Sequence, residues 1–317
     1  MPAPPEVESE GASGDWVFDP AQDEPRRRKL SMSPIQSVKL GRGGRSLAFK
    51  IELADGTRGY FKPEQSFSGA HWYAELASYY LDRELDVFRV SPSIGRRVSW
   101  QVLKRAAHGT RRRGEMIIEP EGTVRGAFIW WIPEELVPLR PGKSWERWIR
   151  NSALHRRSPY QRAAHIRDPS LAPPVTGRSK QPDVHTRPEE LSDMIAFDFL
   201  THNIDRWGGK FTNVRTRTRG GPLVYLDNGA GFPPSHLQRT HLMDSRIEAL
   251  QRFRRSTVTR IRRFQMNSYR ERLAEDPLAP LLSEVQLEGV ERRRHYLLSH
   301  VQRMEARFGD HAFFEEH

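Results

Sequence analysis

The clearest fold signals of this sequence lie in LSDMIAFDFLTHNIDRWGGKFTNVRTRTRGGPLVYLDNGAGF, residues 191–232. Its first ten residues are mostly apolar, which predicts a buried helix. The polar pair His202 and Asn203 follows and predicts the end of that helix, so Asp205 should begin a loop. The apolar run at 223–226 predicts a short buried strand, and the glycines after it predict a flexible turn.

Three polar side chains of this stretch have the chemistry of a phosphoryl-transfer site. Asp205 lies in the predicted loop, where it can take a proton from a hydroxyl, and Asp227 directly follows the predicted strand. Asn213 lies between them and offers an amide oxygen to a metal ion. These are the parts that phosphoryl transfer to an alcohol requires. The structural alternative is that Asp205 pairs with Arg206 and that Asp227 caps a turn.

The composition favours a folded protein with anionic partners. The 317 residues can bury a large core, and 51 Lys+Arg against 40 Asp+Glu give a formal charge of +11. That charge favours nucleotide phosphates, acidic peptides or nucleic acid. Nucleic acid is the least favoured of these partners, because the arginines are dispersed and no nucleic-acid-binding module accompanies them. The sequence has no cysteine, which excludes disulfides and thiolate chemistry.

The sequence gives no signal for export or membrane insertion. Its first residues lack a basic start followed by an apolar run, and no stretch approaches the roughly 18 apolar residues of a membrane span. We therefore expect no membrane span and a cytoplasmic location. The sequence does not define an oligomeric state.

A lysine lies within a predicted pair of antiparallel strands. Residues 35–63 alternate apolar and polar side chains around an Ala-Asp-Gly turn, and Lys62 lies on the second strand of the predicted hairpin. Gly43 and Gly44 precede this hairpin. They can let the backbone approach phosphates, although glycines between strands more often only make a turn.

Two further segments can complete a nucleotide site. A helix is predicted over 70–85, and Glu75 near its start can either pair with Lys62 or face solvent. The apolar residues 126–136 predict a strand that either contacts an adenine base through its backbone or is simply buried. A lysine on a strand followed by a glutamate on the next helix is the order found in kinases.

Two segments are expected to lie outside the core. Residues 1–33 are rich in Pro, Glu, Ser and Gly, which predicts a disordered or loosely docked arm that Trp16, Val17 and Phe18 anchor. Residues 150–188 are basic and rich in Pro and Ser, which predicts an inserted long loop that can act as a lid.

Five successive blocks of this sequence resemble the secretory-pathway kinases, a family that includes the Golgi casein kinase, its glycan xylosylkinase relative and, more distantly, the four-jointed kinase. The resemblance runs from about residue 33 to the C-terminus. The blocks are GGRSLAFKIELADGTRGYFKP, AELASYYLDRELDVFRVSPSIGR, GAFIWWIPEEL, MIAFDFLTHNIDR and LVYLDNGAGF. The resemblance implies an α+β, atypical two-lobed protein-kinase-like fold. Its β-rich N-terminal lobe is expected over 34–125 and its mainly helical C-terminal lobe over 126–317.

The resemblance also implies roles for individual residues. Asp205 matches the catalytic base, and Asp227 matches the acid that binds the metal ion, Mn²⁺ or Mg²⁺. Glu75 matches a helical glutamate that contacts both the lysine and the metal region. The residues implied in ATP binding are Gly43, Gly44, Ser46, Lys62, Glu75 and the adenine connector Ile129, Trp130, Trp131 and Ile132.

The sequence departs from the family pattern at three points, one of which is the insertion at 150–188, which has no counterpart in that pattern. Casein-kinase members carry a glutamate five residues after the catalytic aspartate, where this chain has Lys210, and a lysine cannot ligate a metal ion. We expect Asn213 to take over as ligand; the alternative is that Lys210 neutralises phosphate within the ATP site. The family's secreted members are disulfide-bonded, whereas the absence of cysteine here fits a bacterial or cytosolic relative.

The sequence therefore predicts ATP-dependent phosphotransfer to an alcohol. A protein serine or threonine is the expected acceptor, and a sugar or glycan hydroxyl is the second choice, since the same family does both. A nucleotide-binding pseudokinase that supports a partner allosterically stays open because of Lys210.

Overall fold

The computed structural model describes most of the chain between the terminal segments. The described residues are 16–41, 44–67, 69–139, 145–151, 184–207, 212–238, 244 and 247–314. Most of the insertion predicted at 150–188 lies outside them.

A five-stranded antiparallel sheet dominates the N-terminal half of the described chain. Its strand order is β1-β2-β3-β5-β4. Side chains of β2 alternate between the core and solvent, with Phe49, Ile51 and Leu53 fully buried, as the sequence pattern predicted. The predicted hairpin around Gly56 is formed by β2 and β3. The strands are β1 Ile35–Leu40, β2 Phe49–Leu53, β3 Arg58–Pro63, β4 Ser93–Ser99 and β5 Thr123–Trp130.

Three helices accompany this sheet: α1 Asp23–Met32, α2 Trp72–Glu84 and α3 Trp100–Ala106. Nearly every residue of α2 is buried, because one side packs on the sheet and the other on the C-terminal half of the chain. The helix predicted over 70–85 is therefore present and connects the two halves.

The C-terminal half is mainly helical and contains a small three-stranded sheet of order β6-β7-β8. The helix predicted before Asp205 ends at Thr201, where His202 adopts a left-handed backbone (φ 58°). The strands are β6 Leu136–Pro138, β7 Val214–Arg217 and β8 Leu223–Tyr225, and the helices are α4 Arg187–Thr201, α5 Arg255–Arg263, α6 Met266–Ala274 and α7 Glu284–Phe308.

Short 3₁₀ helices connect these elements. They span Pro20–Gln22, Arg111–Glu115, Trp145–Ile149, Ser235–Leu237 and Gly309–Ala312. In the residues that the structure describes, no helix is both long enough and apolar enough to cross a membrane.

The prediction of a disordered or loosely docked arm over 1–33 is wrong for its second half. Residues 23–32 form α1, in which Leu30 is fully buried, and Val17 and Phe18 are buried as anchors. The composition missed this helix because its polar side chains find partners in the body of the protein. Asp23 accepts hydrogen bonds from Arg83 at 2.5 and 2.8 Å and from the Tyr79 hydroxyl at 3.0 Å.

The predicted lobe boundary between residues 125 and 126 also needs correction. Strand β5 runs from Thr123 to Trp130 and pairs along its length with β3 and β4. A sheet strand cannot be divided between two lobes without losing that pairing. The N-terminal lobe therefore continues to Trp130.

Removing the Asp23 carboxylate should undock α1. The variant Asp23→Asn leaves the buried Arg83 guanidinium short of one carboxylate, so we expect a loss of about 3 kcal/mol in the free energy of unfolding. Urea unfolding followed by circular dichroism measures this loss.

The control is Glu24→Gln, one residue along the same helix turn. Glu24 is mostly exposed and pairs with Arg27 at 3.3 Å, so its replacement should cost no more than about 1 kcal/mol. Equal losses in the two variants would contradict the docking of α1 through Asp23.

Candidate active site

Lys62 is the centre of the candidate site. Its ammonium nitrogen Nζ lies 2.5 Å from Oε1 of Glu75 and 2.6 Å from Oδ1 of Asp227. The lysine comes from β3, Glu75 from the first turn of α2, and Asp227 from the end of β8. The contact expected between Lys62 and Glu75 is thus present, and the same ammonium also holds the acid from the C-terminal half.

The charges of this cluster stabilise one another. Burial alone would lower the pKa of the Lys62 ammonium, but the carboxylates of Asp227 and Glu75 outweigh that effect and raise it above its ordinary value. The Lys62 ammonium in turn holds the pKa of Asp227 below the usual carboxyl range. One ammonium therefore faces two carboxylates at neutral pH, which leaves a net negative charge able to attract a cation.

The backbone around Asp227 leaves space beside the carboxylates of Asp227 and Glu75. Asp227 adopts a left-handed backbone conformation with φ 55°, and its Oδ2 accepts a hydrogen bond from the Asn213 side-chain amide at 3.0 Å. The Gly229 carbonyl accepts from the His71 N–H at 2.7 Å. A Cβ at Gly229 would lie only 3.3 Å from Oε1 of Glu75, so glycine keeps the space beside the carboxylates open.

Asp205 lies in an exposed loop four residues beyond the end of α4. Its N–H donates to Oδ1 of Asn203 at 3.2 Å, and in the described part of the chain its carboxylate makes no ion pair or hydrogen bond. The alternative that Asp205 pairs with Arg206 is therefore wrong. A solvent-facing carboxylate with no protein partner can accept a proton from a bound hydroxyl.

Arg206 instead holds the Asp205 loop against the strand end that carries Asp227. Its guanidinium bonds both carboxylate oxygens of Asp198 at 2.8 and 2.9 Å, Oδ1 of Asn228 at 2.5 Å and the carbonyl of Leu226. All of Arg206 is buried. The rigid guanidinium of Arg206 therefore joins the Asp205 loop to the segment that carries Asp227, which fixes Asp205 and Asp227 relative to each other.

The sequence interpretation missed Arg206, Asp198 and Asn228 as members of the site. A signal was present: Asp198 is a charged residue inside a helix whose neighbours Phe197 and Phe199 are apolar. A buried carboxylate requires a charged partner, and the only arginine close downstream is Arg206.

Side chains of the Arg111–Glu115 segment hold the glycine-containing loop between β1 and β2 in place. Gly44 has a left-handed backbone (φ 72°), and Arg112 donates to the carbonyls of Gly44 and Arg45 at 3.0 and 2.7 Å. The two terminal guanidinium nitrogens of Arg45 donate hydrogen bonds to the Glu115 carboxylate at 2.8 and 2.9 Å. Ser46 lies in this loop, half exposed, directly after the held residues.

The structure narrows the predicted adenine connector Ile129–Ile132. Ile129 and Trp130 belong to β5, and the N–H groups of Trp130 and Trp131 already donate to the carbonyls of Pro92 and Arg58. These two N–H groups are therefore already engaged, and an adenine contact of the segment 129–132, which stays a prediction, would use its other backbone groups. The sequence could not show this, because it does not reveal which partner strand takes each backbone group.

Two residues predicted to contact ATP lie outside the described residues: Gly43 and Lys210. In the described site, Lys62 contacts both Glu75 and Asp227, and Asn213 contacts Asp227. Asp205 lies on the loop that Arg206 holds.

The oxygen atoms of this cluster suit Mn²⁺ or Mg²⁺. Carboxylates and amide oxygens are the ligands that hard divalent ions take, and Asp227, Asn213 and Glu75 supply three side chains of that kind. Within the described residues no three acidic or histidine side chains form a complete metal cage. A metal ion here would therefore take its remaining ligands from phosphate oxygens and water, as Mg²⁺ commonly does.

A sheet that carries the lysine, a helix that supplies Glu75 and a helical half that carries both acids together define a protein-kinase-like site. The α+β, two-lobed kinase-like fold expected from the sequence is confirmed by solved structures. Hydra Fam20, solved with sugar, matches with a TM-score of 0.72 and 20% identity over 95% of this chain and 94% of that chain. The Golgi casein kinase with Mn/ADP bound matches with a TM-score of 0.67 and 19% identity over 92% of this chain and 78% of that chain.

The chain belongs to the Fam20 family. The family described as Golgi casein kinase, C-terminal, Fam20 matches residues 112–312, more than half of the 317. The human extracellular serine/threonine protein kinase FAM20C is 25% identical over 90% of this chain and 55% of its own length. The mouse pseudokinase FAM20A is 26% identical over 72% of this chain and 46% of its own length. This chain thus spans about half the length of the curated relatives it matches.

The ion pair between Lys62 and Asp227 should make the free energy of unfolding depend on pH in the acid range. Because the pKa of Asp227 is lowered in the folded state, its stabilising effect is complete above the ordinary carboxyl pKa of about 4 and is lost as pH falls through the folded value. We expect Asp227→Asn to cost about 1 kcal/mol at pH 6, since the side chain is 48% exposed, and much less at pH 3.

Urea midpoints at both pH values measure this difference. Asp310→Asn, which removes a mostly exposed carboxylate on the C-terminal 3₁₀ turn, controls for the loss of one negative charge. A cost of Asp227→Asn that stays constant or grows toward pH 3 would contradict the ion pair.

Proposed function

We propose that this protein is an atypical kinase that transfers the γ-phosphate of ATP to an alcohol, with a protein serine or threonine as acceptor. The observation that carries the proposal is the Lys62 ammonium bound between Glu75 and Asp227. On the neighbouring loop lies the Asp205 carboxylate, which has no partner among the described residues. Phosphoryl transfer depends mainly on positioning and charge, and this cluster offers both.

ATP would lie between the two lobes. Lys62, already fixed by Glu75, would donate to phosphate oxygens, and the loop with Gly43, Gly44 and Ser46 would cover them. Lys210 is proposed as a further phosphate contact. Ile132 is the connector residue proposed to reach the adenine.

Mn²⁺ or Mg²⁺ bound by Asp227 and Asn213, with Glu75 adjacent, would supply positive charge to neutralise the phosphates. The use of Mn²⁺ is supported by the family relative solved with Mn/ADP bound. Phosphate oxygens would compete with Asp227 for the Lys62 ammonium. The ion pairs with Glu75 and Asp227 hold that ammonium at the place proposed for the phosphates.

Asp205 would orient the acceptor hydroxyl and take its proton. Its loop position is fixed from behind by Arg206, so the carboxylate can face the acceptor without losing an internal partner. A correctly placed base of this kind contributes about 10²- to 10⁴-fold to rate.

The protein acceptor is supported by the name of the human relative, an extracellular serine/threonine protein kinase, and by the basic surface of this chain. A sugar or glycan hydroxyl is the second candidate, because the Hydra relative was solved with sugar. Labelled ATP with acidic peptides, glycans and small polyols separates the two: label in peptide supports the first, and label in glycan or polyol only overturns it.

The cytoplasmic location stays a prediction. The absence of cysteine favours it, whereas the human relative is named as extracellular. The lid role of the 150–188 insertion also stays a prediction.

Replacing the proposed base should separate binding from chemistry. Asp205→Ala should reduce the rate of phosphate transfer at least about 100-fold while leaving ATP affinity unchanged, because the side chain contacts the acceptor and not the nucleotide. Initial rates with labelled ATP and isothermal titration with a non-hydrolysable analogue measure the two quantities. Asp310→Ala is the control, and near wild-type turnover in Asp205→Ala would contradict the assignment.

Replacing the lysine should instead weaken nucleotide binding. Lys62→Met removes a charge-assisted hydrogen bond to phosphate, so affinity for the metal–ATP analogue should fall about 10- to 100-fold. Lys39→Met, on β1 of the same sheet, controls for the loss of one lysine.

The same titration tests the alternative that this protein is a pseudokinase, as the mouse relative is named. Wild-type protein that binds ATP and loses this binding in Lys62→Met, yet transfers no phosphate to any acceptor, would support the pseudokinase.

A further inference from the structure

Residues 16–32 form a strap that contacts both lobes. Near its start, the side chains of Val17 and Phe18 are buried. They share a small apolar cluster with Ile132, which lies just beyond β5, and with Val224 of β8. The start of the strap therefore packs where the chain passes from one lobe to the other.

The same part of the strap also holds the turn that follows α2. The N–H groups of Val17 and Phe18 both donate to the Phe88 carbonyl at 3.1 Å, and the Trp16 ring centre lies 5.3 Å from that of Phe88. Phe88 has a left-handed backbone (φ 52°), which a large side chain adopts only when its surroundings hold it. From the C-terminal lobe, the Arg217 guanidinium donates to the Val17 carbonyl at 2.6 Å. The strap therefore joins the end of α2 to the C-terminal lobe.

The helical part of the strap, α1, lies on the sheet face opposite α2. Leu30 of α1 belongs to the apolar cluster that contains Phe128, whereas α2 packs in the cluster that contains Ala127. Consecutive residues of a strand point to opposite faces, so the sheet separates the two helices. Strand β4 is the edge of this sheet. The contacts between α1 and α2 therefore pass around β4.

Two charged side chains of α1 make these contacts. Asp23 holds α2 through the hydrogen bonds described above. Nη2 of Arg27 donates to the Tyr80 hydroxyl at 2.6 Å, and the guanidinium carbon lies 5.2 Å from the ring centres of both Tyr79 and Tyr80. Nε of Arg27 donates to the carbonyl of Ser93 on β4 at 3.2 Å. Because the Arg27 side chain is only 12% exposed, its contacts with the rings are largely desolvated and correspondingly strong.

The position of Glu75 depends on these contacts because it lies on the same helix. Tyr79 follows Glu75 by four residues, which is about one helical turn. A helix moves as a rigid unit, so a shift of α2 at Tyr79 carries Glu75 with it. The Glu75 carboxylate lies 2.5 Å from the Lys62 ammonium, and hydrogen bonds extend only to about 3.2 Å. A displacement of α2 by about 1 Å therefore breaks this contact.

We propose that Asp23 and Arg27 of the strap are positioning residues for α2. They hold the helix where Glu75 meets the Lys62 ammonium. This role rests on the proposed kinase function, because Glu75 affects ATP only if Lys62 binds the phosphates. Within the described residues, the strap makes no hydrogen bond or ion pair with Lys62, Glu75 or Asp227 themselves. Its effect on nucleotide affinity is therefore indirect, and such couplings commonly change an affinity about 5- to 150-fold.

Titration with Mn²⁺ and a non-hydrolysable ATP analogue measures the effect. Arg27→Met removes the bonds to Tyr80 and Ser93, so the affinity of the full chain for the metal–analogue complex should fall at least about fivefold. Arg28→Met changes the next residue of α1, which is exposed, and controls for the loss of one positive charge. Val301→Ala removes buried methyl groups from α7 and controls for a loss of stability. Both controls should keep the wild-type affinity, and an Arg27→Met variant that also keeps it would overturn the proposal.

A double variant with Glu75→Gln shows whether Arg27 acts through Glu75. In that background the ion pair with Lys62 is already lost, so Arg27→Met should weaken analogue binding by less than about twofold more. A further loss of about fivefold in that background would overturn the proposal. If Arg27→Met does not fold, Tyr80→Phe replaces it in the same cycle, because it removes only the hydroxyl that accepts the Arg27 bond.

Urea unfolding of the wild type, the two single variants and the double variant, all without nucleotide, separates the positioning from the kinase function. Glu75→Gln should lower the midpoint less when Arg27→Met is already present, because a displaced Glu75 contributes less to the ion pair. Additive losses would overturn the positioning even in a chain that binds ATP. Non-additive losses in a chain that binds no analogue would support the positioning and overturn the kinase function instead.

Discussion

A single ammonium between two carboxylates connects the two halves of this molecule. Lys62 belongs to the N-terminal sheet, and it binds Glu75 of α2 and Asp227 of the C-terminal half. Its side chain is only 14% exposed, so the partial desolvation is offset only while both carboxylates are present. The geometry of the whole site therefore depends on β3, α2 and β8 meeting at one nitrogen atom.

A second, fully buried ion pair fixes the loop side of the site. Arg206 binds Asp198 within α4 and also Asn228 just beyond Asp227, so the two acids proposed for transfer are carried by segments that share one guanidinium. Asp205 is exposed, and its carboxylate has no partner in the part of the chain that the structure describes. The protein thus uses buried charges to position the site and an exposed charge for the proposed chemistry.

Much of this arrangement could be predicted from the sequence, because local patterns and resemblance both indicated it. Apolar periodicity gave the helix that ends at Thr201 and the strand before Asp227, and the family likeness brought Lys62, Glu75 and Asp227 together. What could not be predicted depends on long-range partners. The docking of α1 through Asp23, the role of Arg206, and the bonds already made by the Trp130 and Trp131 N–H groups all involve residues far apart in the chain.

We propose that the cluster around Lys62 is a metal–nucleotide site. A crystal structure with Mn²⁺ and a non-hydrolysable ATP analogue is the sharpest test. We expect a phosphate oxygen about 3 Å from the Lys62 ammonium and the metal ion on Asp227 and Asn213. A nucleotide bound elsewhere, or a Lys62 ammonium that keeps both carboxylates and touches no phosphate, would contradict it.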